Sequence, residues 1–357
     1  MADALSTRIT NYWSQHDDGA LLLWGFGALT LLAAFGLFLN SSQWTVAPVA
    51  LFVVLSGVGW YSHQSETAMG LTFLATILTV TILGLIITFI FLEAWPALRK
   101  TGVAMIYRTD TSGSFWPAGD GLYYLSPMIF GTLVTTVIAT AVAAPLGVAG
   151  ALFLSEIAPP TVREVIKPGV EMLAGIPSIT YGFIGFVIIN DYFYKELNTP
   201  TFGSLFTVGL IIGIMALPTI VTVAEDALST VPESMKSGSL AMGSTDWQTM
   251  KSVTIPAAFS GVSAAVLLGV GRAMGETMAA TVMITHNVGF PDPIFDVFGR
   301  KGETLTTLIA FNANSSHGLA LSSLFAAGVV LFLTVLVLSV GSMYIETRMQ
   351  EKLGGKR

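Results

Sequence analysis

The chain has 357 residues, 53% hydrophobic and only 11% charged, with a formal net charge of −6. Soluble domains carry about 25% charged residues, so this composition excludes an ordinary soluble protein and, with repeated apolar runs of spanning length, predicts an all-α polytopic membrane protein. The acidic balance argues against nucleic acid as a partner, and the lack of cysteine excludes disulfides and thiolate metal sites.

Residues 1–19 form a polar tail without a basic n-region, so no cleaved signal peptide is expected. Apolar runs follow at about 20–39, 46–62 and 68–92, and residues 93–125 form a long polar segment with Arg99, Lys100, Arg108, Asp110 and Asp120. Ser126 and Pro127 read as N-cap and first helical residue of a run to about Leu154. Pro159 and Pro160 stop it. Thr161 and Glu164 have capping-box spacing and restart a helix, whose continuation to about Asn190 is interrupted by Pro168, Gly175 and Pro177. A run at about 204–228 carries Pro218, a polar insert covers 229–256, and an apolar run extends over about 257–285. A second long loop, 286–318, precedes the last run at about 319–345 and a basic tail at 347–357.

About eight spans are thus expected, with both termini on one side. Placing them in the cytoplasm puts Arg8, Arg163, Lys167, Lys236, Lys251 and the basic tail inside. Arg99, Lys100, Arg108, Lys195, Arg300 and Lys301 fall outside, a modest positive-inside bias.

The insert 229–256 is too polar to enter the bilayer. Thr230 with Glu233, and Thr245 with Gln248, have capping-box spacing, and Pro256 blocks continuation of the second helix. Two short helices hinged at Gly243 are predicted, with Met242, Trp247 and Met250 forming an apolar surface. Such a unit is either a structured loop resting on the headgroups or a knob that fits another protein's groove.

Helix breaks mark the spans on either side. Pro177 leaves the carbonyl of Leu173 without its amide partner, Gly175 loosens the same turn, and Ser178, Thr180 and Tyr181 place polar groups there. Pro218 does the same in the next span, and Pro145 with Gly147 in the earlier one. Irregular backbone at membrane depth is tolerated where it is buried in protein or lines a cavity.

The run at 257–285 carries the most expensive feature, Arg272 and Glu276, four residues apart and so on one face of a continuous helix. A charge at bilayer depth costs at least about 2.5 kcal/mol, so the pair must face protein or a water-filled path. It is either a structural ion pair or an anion site, where guanidinium suits phosphate-like oxyanions. Gly271, Gly275 and Ala279 form a small-residue stripe for helix packing. A continuous helix would connect Pro256 to Arg272 over about 24 Å through one rigid element.

At these residues the chain becomes recognisable. The stretch from about Ile129 to Asn287 resembles the permeases of phosphate-specific ABC importers, in particular the PstC-type subunits. The similarity is carried by Pro145 with Gly147, the segment around Glu156, residues 171–178, Tyr181 with Gly182, Glu225 with Asp226, and residues 271–278. The insert is similar to the ABC importer coupling (EAA) motif in its second half, at Gly243, Val253, Ile255 and Pro256. Its first half departs: Ser237, Gly238 and Ser239 stand at the Glu-Ala-Ala positions, with Glu233 one turn earlier as a substitute carboxylate.

The resemblance implies a six-helix permease core, at 126–346 with the helix and external loop of 66–125, preceded by an extra two-helix hairpin at 1–65. It also implies a cytoplasmic-membrane location, a second permease (PstA-like), and two ATPases (PstB-like) docked on the coupling helices. An external phosphate-binding protein (PstS-like) completes the assembly, with phosphate ion as cargo. The subunit would bind no cofactor itself, ATP-Mg being used by the ATPases. Trp247 would join the coupling contact. The competing readings are a PstA-type permease, a permease for molybdate or sulfate, a stand-alone secondary transporter or channel, and an intramembrane enzyme. No phosphate loop and no serine–lysine or paired-aspartate dyad supports the last.

Overall fold

The computed structural model describes residues 18–109, 114–117 and 121–352. The polar tail with Arg8, the loop residues Asp110 and Asp120, and the tail residues Lys356 and Arg357 lie outside them. The described residues are almost entirely helical, with one isolated antiparallel bridge between Asn287 and Gly302.

Backbone contacts divide the chain between Thr88 and Phe89. In the first unit, α1 (Asp18–Leu39), α2 (Val46–Ser62) and the first part of α3 (Gln64–Thr101) pack through glycine. A Cβ on Gly70 would meet the Trp24 indole at 2.3 Å, and one on Gly59 would meet Thr67 Oγ1 at 2.6 Å. The outward faces of these helices are apolar, as lipid requires.

The second unit is built on α4 (Ser126–Leu152) and α7 (Leu205–Ser229). Ser204 and Thr207 open α7 with a reciprocal capping box. Small residues let the two helices approach closely: a Cβ on Gly213 would lie 2.9 Å from the Ala139 carbonyl oxygen, and one on Gly147 2.6 Å from Ile220 Cγ2. Between them in sequence, α4 ends in a π-helical turn (Phe153–Ile157), followed by α5 (Pro160–Ala174) and α6 (Ser178–Ile184). Helix α6 continues through a second π turn to Glu196 and lies at 90° to α5. The break falls at Gly175–Pro177 as expected. Pro145, Pro168 and Pro218, by contrast, sit inside unbroken helices, and α5 starts on Pro160 without the Thr161–Glu164 box.

The rest of the unit comprises α8 (Glu233–Ala241), α9 (Asp246–Thr249), α10 (Phe259–Gly275), α11 (Met278–Met283), α12 (Leu305–Asn312) and α13 (Leu319–Lys352). Among the described residues five helices are long and apolar enough to cross a membrane, or up to seven if each bent pair counts as one span. The expected eighth run is α1, apolar over Leu23–Leu39.

Two expectations fail in the 257–285 run. The helix stops at Gly275, Glu276 is extended (φ −66°, ψ 125°), and a separate short helix begins at Met278. Upstream, the segment ending at Ala257 is bent by 72° from α10. No single rod therefore joins Pro256 to Glu276.

Candidate functional site

Arg272 lies about 20 Å along α10 from Phe259. Its Nη1 donates to Thr219 Oγ1 of α7 at 3.0 Å. Among the described residues the guanidinium has no carboxylate partner. Arg272 and Glu276 are therefore not the stacked pair that i,i+4 spacing predicts, because Glu276 has left the helix. Its Oε1 accepts the Ala279 amide at 3.0 Å, satisfying a donor at the start of α11, and its carbonyl accepts Thr306 Oγ1 at 2.9 Å.

The small-residue stripe is corrected with it. Added Cβ atoms on Gly271 and Gly275 would meet nothing within 4 Å. The close contacts on α10 are instead Gly261, where a Cβ would lie 2.4 Å from Ala227 Cβ, and Gly269, where one would lie 2.5 Å from Ile220 Cδ1. Ile220 is thus seated between Gly147 of α4 and Gly269 of α10, beside Thr219. Ala279 belongs to α11 and presses on Gly182 of α6, whose Cβ would fall 2.7 Å from Ala279 Cα.

The break before α6 resolves the Leu173 carbonyl, which accepts Tyr181 Oη at 2.9 Å and the Ile176 amide at 3.3 Å. Tyr181 also packs into the cluster containing Ala273, Ala280 and Met283, which brings α6 next to the Arg272 region. Ser178 is half-buried, and Gly175, Pro177 and Thr180 are exposed, while Pro218 is buried in α7 one residue from Thr219. The sequence reading missed Thr219. Its only local signal is adjacency to Pro218.

A loop cluster around His286 was also missed. His286, at φ 51°, places Nδ1 3.1 Å from Glu303 Oε2 and Nε2 3.0 Å from the Thr281 carbonyl of α11, and its ring stacks on Phe311. Both ring nitrogens face acceptors, so the protonated imidazolium satisfies both. The hydrogen bond to Glu303 raises the His286 pKa, opposed by partial burial. Thr307 Oγ1 donates to the other carboxylate oxygen of Glu303, which is itself buried.

The insert forms two short helices as expected, turning at Gly243 with φ 89°. Thr245 and Gln248 make their capping box, but Thr230 instead closes α7, and α8 starts after Pro232. Pro256 does not end the second helix. A π turn (Met250–Thr254) carries the chain past it to Ala257. Met242 is 87% and Trp247 64% exposed, whereas Met250 is buried and leaves the expected apolar surface.

Glu233 is exposed at the start of α8. Ser239 accepts Thr249 Oγ1 at 3.0 Å and pins α8 to α9, while Ser237 bonds back to the Ser234 carbonyl. Val253, Ile255 and Pro256 are half-buried at the base of the insert. One ion pair ties the insert to the end of α4, and a separate cluster joins α5 to α7 beside it. Lys236 of α8 reaches Glu156 at 2.7 Å, and buried Glu225 of α7 accepts Arg163 and Lys167 of α5.

Residues 143–351 match the model of the binding-protein-dependent transport system inner membrane component family. The phosphate transport system permease protein PstC of Haemophilus influenzae is 31% identical over 302 residues, covering 79% of this chain and 93% of that one. PstC of Mesorhizobium japonicum is 33% identical over 301 residues, covering 78% and 89%. The probable ABC transporter permease YqgH of Bacillus subtilis is 37% identical over 231 residues, covering 64% and 74%. The fold is shared with a chain of a bacterial alginate ABC transporter at TM-score 0.56 and 12% identity, covering 81% of this chain and 97% of that one. The chain belongs to the binding-protein-dependent inner-membrane permeases, with the PstC-type subunits as its kin; it is a multi-pass, non-catalytic membrane subunit whose ATPase is a separate chain.

Proposed function

We propose that this chain is a permease subunit of an ATP-driven importer of inorganic phosphate, forming half of the translocation path. The observation that carries this reading is Arg272: a half-buried guanidinium inside the helical bundle, positioned by a neutral hydroxyl and, among the described residues, with no carboxylate partner. A carboxylate partner would neutralise it. Thr219 orients it and leaves its charge for an oxyanion, which it attracts in parallel hydrogen bonds and must then release. Glu276, engaged with the Ala279 amide, contributes by shaping the end of α10 rather than by competing for Arg272. Ser178, Thr180 and Tyr181, with the break at Gly175 and Pro177, are assigned to the same path, and Pro218, inside the unbroken α7, enters it only as the neighbour of Thr219. Their support is the irregular backbone of α6 and its packing near Ala273.

Coupling is assigned to α8 and α9. Met242 and Trp247, around the Gly243 turn, form the surface for a PstB-like ATPase, with Glu233 at its edge and Ser237, Ser239, Val253, Ile255 and Pro256 holding the unit together. A PstA-like permease pairs with this one, a PstS-like binding protein delivers phosphate to the outer loops, and both termini face the cytoplasm. ATPase closure moves the coupling helices and alternates access to the path.

Radiolabelled phosphate uptake by the reconstituted complex tests this. Uptake should require ATP, and unlabelled phosphate should compete where sulfate and molybdate do not. Equal competition by sulfate or molybdate would assign another oxyanion. Uptake by the permeases without the ATPase would assign a secondary transporter.

A further inference from the structure

We infer that the Lys236–Glu156 ion pair is a strut that carries movement of the first coupling helix into α4, making both residues positioning residues for transport. The inference rests on the coupling role proposed above for α8. The geometry is specific: Lys236 Nζ and Ser155 Oγ both donate to Glu156 Oε1, at 2.7 and 2.9 Å. The side chains are only 15% and 11% exposed, so solvent and salt screen this pair far less than an open surface pair. The π turn at Phe153–Ile157 ends α4 at this contact.

The second coupling helix reaches Arg272 through more joints. Between Gly243 and Arg272 lie a π turn at Met250–Thr254 and the 72° bend before Phe259. A displacement entering there meets a joint. A displacement entering through Lys236 crosses one π turn, which runs on from α4 to Ile157 without a bend, and α4 is locked to α7 where Gly147 admits Ile220 and Gly150 admits Val221. Ile220 follows Thr219, which holds Arg272. The ion pair thus begins a continuous packed route from the coupling unit to the guanidinium, and a packed core is stiff enough to transmit a shift.

The test uses the complete complex in proteoliposomes. Glu156→Gln and Lys236→Met should each lower phosphate imported per ATP hydrolysed by roughly five- to tenfold, in the lower range of inter-site coupling. The ATPase should still co-purify at the wild-type level. Exchanging the charges, Glu156→Lys with Lys236→Glu, should restore the ratio to within about twofold. Wild-type ratios in both single variants, or an exchanged pair no better than either single, would overturn the strut. So would loss of the ATPase from the single variants, since the pair would then only hold the fold. If the wild-type complex imports no phosphate, the phosphate reading fails. The strut is then judged by ATP hydrolysis stimulated by the binding protein, which must show the same loss and rescue.

Discussion

Thr219 and Arg272 are joined across α7 and α10 by a 3.0 Å hydrogen bond, while the carboxylate four residues beyond Arg272 points to the Ala279 amide. The charge on α10 is therefore held by a neutral partner. Hydrogen bonds to charged groups contribute about 1.5–3 kcal/mol.

Removing the charge should matter more than removing its positioner. Arg272→Gln should abolish uptake while the complex still assembles. Thr219→Val should lower uptake by roughly tenfold, at the low end of that energy range, and Thr219→Ser should retain it. Uptake in membrane vesicles, with permease abundance measured in parallel, checks all three.

Glu276 works through an acceptor oxygen, so its charge should be dispensable. Glu276→Gln keeps an acceptor for the Ala279 amide and should preserve thermal stability. Glu276→Ala should lose about 0.5–2 kcal/mol, as other helix N-terminal caps do. The double exchange Arg272→Glu with Glu276→Arg should fail to transport. Restored uptake would mean that the two side chains pair after all.

Glycines on adjacent helices should respond in opposite directions. Gly182→Ala forces a Cβ to 2.7 Å from the Ala279 backbone and should destabilise by about 1–3 kcal/mol. Gly271→Ala meets open space and should be neutral, or stabilising by up to about 1 kcal/mol from helix propensity. Thermal unfolding in detergent distinguishes them.

His286 should make its loop cluster sensitive to pH. Its pKa is raised above the ordinary 6.5 in the folded chain, chiefly by Glu303. The folded state then binds the proton more tightly than the unfolded one. The stabilisation is complete below the ordinary value and is lost as pH rises through the raised one. The stability difference between wild type and His286→Gln should be larger at about pH 6 than at about pH 9. A difference independent of pH would show that the ring acts only by stacking on Phe311.

Much of the architecture is written in composition and local chemistry. Apolar runs of spanning length dictate helices, because lipid leaves the backbone no other partners. Gly175 with Pro177 predicts the α5–α6 break, and Thr245 with Gln248 predicts the cap of α9, since each acts within a few residues. The same local rules misplace Glu276, the stripe of Gly271, Gly275 and Ala279, and the inward turn of Met250. Whether a helix continues through Gly275 depends on Thr306 accepting the role of partner to the Glu276 carbonyl. Which glycine packs depends on where Ile220 arrives from another helix. Lys236 finds Glu156, and Arg272 finds Thr219, across separations no period of 3.6 can encode. The sequence by itself determined the class of protein, the spans, the coupling insert and the presence of a costly arginine. Only the tertiary structure decided what that arginine touches, because its partner comes from another helix and is selected by packing.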